Sequence, residues 1–166
     1  MAQTKLGEAI VNTNGTLPAV GSSASNFTLT GTDFNEVSLN DYKGKNIVLN
    51  IFPSIDTRVC AMSVREFNKR ASSLNNTVIL SISKDLPPAF KRFCAAEGIE
   101  NVVPLSDFRN KGFSKGYGVE MTDGNLAGLF ARAIVVLDTN LKVIHTELVP
   151  AIGQEPDYEA ALKALQ

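Results

Sequence analysis

The feature that most constrains this chain is a series of short β-branched apolar runs separated by segments with a helical period. Residues 45–52 (KNIVLNIF), 77–83 (TVILSIS) and 132–138 (RAIVVLD) are short for helices and rich in Val and Ile, as buried strands are. Between the first two, Cys60, Val64, Phe67, Ala71 and Leu74 recur every three or four positions. Arg65, Glu66, Asn68, Lys69 and Arg70 lie off that line, so 60–74 reads as one amphipathic helix. A second helix starts near Pro87 and Pro88, where a first turn tolerates proline, and stops at Gly98. Residues 142–149 partly alternate, and Asp138, Thr139 and Asn140 form a turn signal, so 132–149 predicts a β-hairpin. Residues 101–107 read as a short strand, 109–117 as a short helix, and the last helix begins near Pro156. Residues 1–40, rich in Gly, Ser and Thr with short β-like runs, read as an N-terminal β-hairpin extension. The expectation is an α/β chain, a mixed central sheet flanked by helices, forming one domain over 1–166.

Composition excludes several functions. A length of 166 residues suffices for one real core. A net charge of −1 leaves no broad basic surface for nucleic acid or anionic lipid. No apolar run approaches the ~20 residues of a membrane span, and the first residues (MAQTKLGEAI) hold no apolar leader, so a cytoplasmic protein is expected. Two cysteines and one histidine cannot fill a four-ligand structural zinc site.

The two cysteines are either inert buried thiols or a redox couple. Cys60 follows a strand, through Pro53-Ser54-Ile55-Asp56-Thr57-Arg58-Val59, and opens a helix. A free cysteine is mostly protonated at neutral pH, whereas unpaired N–H groups and the positive dipole end of a helix N-terminus favour the nucleophilic thiolate. Thr57 can place a hydroxyl beside the sulfur or act as a helix N-cap. Pro53 can shield the sulfur from water or simply end the strand. Cys94 lies four residues after Phe90 and next to Phe93, on the apolar face of the second helix, where a plain core thiol would also sit. Met121, Phe90, Phe93 and Phe130 are either core or the wall of an apolar pocket.

The pattern P-x-x-x-T-x-x-C formed by Pro53, Thr57 and Cys60 resembles the peroxiredoxin active site. With it, N-I-F-P-S-I-D-T-R-V-C (50–60), R-F-C-A-A-E-G (92–98), L-S-D-F-R-N (105–110) and E-P-D-Y-E-A-A-L (155–162) resemble the bacterial thiol peroxidases, the atypical two-cysteine peroxiredoxins, over nearly the whole chain. The resemblance implies a thioredoxin-like fold and a set of roles. Cys60 would attack the peroxide and become a sulfenic acid. Cys94 would resolve it as an intramolecular Cys60–Cys94 disulfide, and thioredoxin would restore both thiols. Arg132, which opens the strand after D-G-N-L-A-G-L-F-A (123–131), would be the family's arginine, otherwise a charge at a strand end. The resemblance also implies organic hydroperoxides over hydrogen peroxide, a homodimer, and no haem, flavin or metal. Arg58 departs from the small residue common there, and either adds positive field or points into solvent.

Competing readings are weaker. A thioredoxin-type carrier needs C-x-x-C, but Ala61, Met62 and Ser63 follow Cys60. A Cys–His hydrolase would need His145, which has no obvious orienting partner. A peroxide sensor would use the same thiol chemistry without turnover. Cysteines on two different helices need not meet within the ~7 Å Cα limit of a disulfide, so the cycle is expected to need local unwinding.

Overall fold

The computed structural model describes residues 1–166. The strand-forming runs appear nearly where periodicity puts them: β5 is Asn46–Ile51, β6 Thr77–Ser83, β7 Val103–Ser106, β8 Ala133–Leu137 and β9 Val143–Leu148. The helices are α1 Arg58–Ala71, α2 Pro87–Glu97, α3 Phe113–Tyr117 and α4 Tyr158–Lys163. Helix α1 starts two residues before Cys60, because Thr57 takes the extended N-cap conformation, and α3 is shorter than expected because Gly112 caps it late. Helix α2 ends at Gly98 (φ 66°), whose N–H returns to the Cys94 carbonyl.

The N-terminal segment holds two hairpins rather than one. β1 (Gln3–Leu6) and β2 (Ala9–Asn12) pair on their own, whereas β3 (Thr28–Thr30) and β4 (Glu36–Ser38) join the central sheet through Thr30 and Ser106. The central sheet runs β4-β3-β7-β6-β5-β8-β9, with β5, β6 and β7 parallel and the other pairings antiparallel.

Side chains alternate across this sheet and so build two cores. Ile47, Leu49 and Ile51 of β5 and Val135 and Leu137 of β8 face Phe27, Leu39, Phe113 and Tyr117. Val48 and Phe52, with Ile134 and Val136, face Cys60, Val64 and Phe67 of α1, Phe90 and Phe93 of α2, and Ala161 of α4. The helical stripe thus brings the Cys60 turn against the C-terminal end of β5. The β1–β2 hairpin docks beyond β9, where Lys5 N–H donates to Pro150 O (3.0 Å) and Thr4 Oγ1 to Val149 O (2.9 Å). That docking carries Leu6 toward the same end of the sheet.

Candidate active site

Strand β5 runs into buried Pro53, and a turn links it to α1. The Ser54 carbonyl accepts from Thr57 N–H (3.1 Å) and from Thr57 Oγ1 (2.9 Å), closing that turn. The Thr57 hydroxyl therefore donates its proton to Ser54 O rather than to the Cys60 sulfur, accepts no capping bond from the helix, and keeps its acceptor lone pairs. Cys60 is the third residue of α1 and fully buried. Ser63 Oγ holds its carbonyl (2.8 Å) and accepts from Asn50 Nδ2 of β5 (3.2 Å), tying the first turn of α1 to the sheet.

Arg132, 1% exposed, reaches this turn from the start of β8. Its Nε donates to Ile152 O (2.9 Å) and its Nη2 to Cys60 Sγ (3.4 Å), while Nη1 is buried with no partner. None of the chain's ion pairs includes Arg132. A buried guanidinium without a carboxylate is costly, and the nearest group that can carry the compensating negative charge is the sulfur.

Beside this pair opens a cavity of about 260 Å³, onto which Pro53, Thr57 and Arg132 face. Its apolar wall is Leu6, Val59, Leu126, Leu129 and Ile152. The aromatic and methionine candidates do not form it. Met121 is buried with Val11, Ala131 and Ile152, Phe130 lies in the core beneath α3, and Phe90 and Phe93 lie between α2 and the sheet. Leu126 and Leu129 were visible in the segment before Arg132, but nothing local marks Leu6 or Ile152, which arrive by the docking of distant segments. Arg58 is exposed at the cavity mouth, with Nη1 3.7 Å from Met62 Sδ.

The structure thus gathers Pro53, Thr57, Cys60 and Arg132 but not Cys94. Cys94 lies on α2, half-buried and unbonded to Cys60, and burial pushes its thiol above the ordinary value. His145 sits opposite Val136 on β9 and does not line the cavity. Sequence reading missed Asp85, in the link from β6 to α2. Its carboxylate accepts from Ser54 Oγ (2.8 Å), Ile55 N–H (2.7 Å) and Ser83 Oγ.

Fold and site define a thioredoxin-like α/β protein built around a buried cysteine–arginine pair. Residues 19–162 match the Redoxin family. Thiol peroxidase of Mycobacterium tuberculosis is 58% identical over 165 residues, 99% of each chain. Thiol peroxidase of Corynebacterium glutamicum is 52% identical with the same coverage. The crystal structure of a peroxiredoxin-like protein from Aquifex aeolicus superposes with a TM-score of 0.92 at 34% identity, covering 98% of this chain and 95% of that one. The chain belongs to the thiol peroxidase family, enzymes of the peroxiredoxin type with the redoxin fold.

Proposed function

We propose that this chain reduces alkyl hydroperoxides and hydrogen peroxide through a Cys60–Cys94 thiol–disulfide cycle that thioredoxin resets. The observation that carries this reading is the contact of Arg132 Nη2 with Cys60 Sγ at 3.4 Å, with Nη1 of the same buried guanidinium left unpartnered. One guanidinium nitrogen steadies the thiolate while the other is free for a peroxide oxygen.

The Cys60 thiolate attacks the terminal peroxide oxygen, the O–O bond breaks, and the alkoxide leaves and takes a proton to become the alcohol. Charge develops on the departing oxygen in front of Arg132, where a fixed cation in a water-poor site is worth most. The Thr57 hydroxyl is free as an acceptor for the peroxide proton, and Pro53 excludes water on the strand side. The alkyl group lies against Leu126, Leu129 and Ile152, which favours organic peroxides.

Cys60 sulfenic acid is then attacked by Cys94, whose proton leaves with the displaced hydroxide as water. Cys60 is fully buried on α1 and Cys94 half-buried on α2, both as free thiols, and in this reading part of α1 or α2 unwinds to let the two sulfurs meet. The dithiol of thioredoxin reduces the disulfide and is itself oxidised.

The cycle needs a compartment that returns disulfides to thiols, which favours a cytoplasmic site. A homodimer fits the exposed edge-to-face pair of Phe34 and Phe108 (6.3 Å), beside the 109–117 segment. The decisive assay couples NADPH oxidation through thioredoxin reductase and thioredoxin to cumene hydroperoxide. Turnover should vanish in Cys60→Ser and in Cys94→Ser. Full turnover in Cys94→Ser would remove the resolving role, and none in the wild type would remove the cycle.

A further inference from the structure

The carboxylate of Asp85 receives three donors and pairs with no cation. Two of the donors, Ser54 Oγ and Ile55 N–H, belong to the turn that leads into Cys60. The third, Ser83 Oγ, closes β6, and the same oxygen accepts from Asp85 N–H at 3.0 Å. The Asp85 carbonyl accepts from Ser106 Oγ of β7. The next residue, Leu86, is the N-cap of α2, which carries Cys94. Through Ser54, whose carbonyl holds both Thr57 donors, Asp85 is two hydrogen bonds from the Thr57 hydroxyl.

We infer that Asp85 is a positioning residue for this reaction: one carboxylate fastens the Cys60 turn to the root of the Cys94 helix and holds the closed, peroxide-reactive arrangement. This rests on the proposed two-cysteine cycle. A carboxylate suits the place because it offers acceptors only. The Ile55 N–H cannot turn round to accept, whereas an amide at position 85 would present an NH₂ to donors on one side. Two consequences have opposite signs. Loosening the link misplaces Thr57 and Cys60 and slows peroxide attack. It also frees the turn and the start of α2 together, the motion that the proposed cycle assigns to disulfide formation, and so hastens resolution. A role in folding alone would slow neither step below the melting temperature.

The test is stopped-flow kinetics of the two steps in full-length wild type, Asp85→Asn and Ser54→Ala, with Leu137→Ala as a comparison. Leu137 pairs with Ile47 at the end of β5 away from the Cys60 turn and supplies a destabilised core with an untouched link. Sulfenic acid formation with cumene hydroperoxide should fall roughly tenfold in Asp85→Asn and by less in Ser54→Ala, while the rate of Cys60–Cys94 disulfide formation rises in both. In Leu137→Ala both rates should stay at the wild-type values. Unchanged rates in Asp85→Asn, or equal slowing of both steps, would overturn the inference while leaving the cycle intact. No peroxide reaction at Cys60 in the wild type would overturn the cycle and the inference with it.

Discussion

Arg132 and Cys60 meet across 72 positions of sequence, with Nη2 3.4 Å from Sγ. Strand β8 makes this contact, because its antiparallel pairing with β5 sets Ala133 opposite Ile51, just before the turn into α1. The register of two central strands therefore sets the distance between thiol and guanidinium. No carboxylate shares the guanidinium, so the Cys60 sulfur is the side-chain group that meets its charge.

Replacing Arg132 with Met should separate catalysis from stability. Loss of the fixed cation should lower the rate of Cys60 oxidation by about a hundredfold or more. Folding should change by no more than about 1 kcal/mol, since removal of a buried charge offsets the lost hydrogen bond to Ile152 O. Stopped-flow oxidation and urea unfolding on the same sample check both. A variant with wild-type oxidation kinetics would deny the guanidinium its role.

Shortening the apolar wall should act on the alkyl group and not on the peroxide. In Leu129→Ala, kcat/KM for cumene hydroperoxide should fall about fivefold, the effect of losing a few half-buried methylene contacts. The value for hydrogen peroxide, which has no alkyl group, should stay within about twofold of wild type. Equal loss on both substrates would place the alkyl group elsewhere.

Alkaline pH should weaken the fold. Burial raises the Cys94 thiol above 9.0 and the Tyr42, Tyr117 and Tyr158 phenols above 10.0, their ordinary values. The native state then holds these protons more tightly than the unfolded chain does. Their contribution is complete below the unfolded values and is lost as pH rises toward and through the folded ones. The urea midpoint should hold level from about pH 7 to 8 and decline from about pH 9 upward. In Cys94→Ser the decline should begin later, near the tyrosine range. A midpoint that climbs above pH 9 would contradict the burial of these groups.

Gly118 should tolerate no side chain. It follows α3 at φ +63°, and a Cβ there would run into the backbone of Gly15 and Thr16. Strain and clash together should cost about 3 kcal/mol or more in Gly118→Ala, read as a lowered midpoint in thermal unfolding.

Local pattern was enough for the strands β5, β6, β8 and β9, for the stripe of α1, and for both ends of α2, because two prolines and one glycine punctuate that helix. The same pattern could not tell that β3 and β4 join the sheet, since three-residue strands carry almost no periodic signal. The Pro53, Thr57 and Cys60 spacing marked a thiol site because those residues are neighbours on one turn.

Determined by the sequence alone, then, were the element types, the continuous apolar runs of strands buried on both faces of the sheet, and a reactive-looking cysteine at a helix start. Only the tertiary structure decided what stands around that cysteine. Periodicity tells which face of an element is buried but not which partner covers it, so Phe90, Phe93, Met121 and Phe130 went to the cores while Leu6 and Ile152 came to the cavity. The contacts of Arg132 with Cys60, and of Asp85 with Ser54 and Ile55, depend on strand pairing and loop docking between residues tens of positions apart. Such contacts exist only once the chain has closed around both cores.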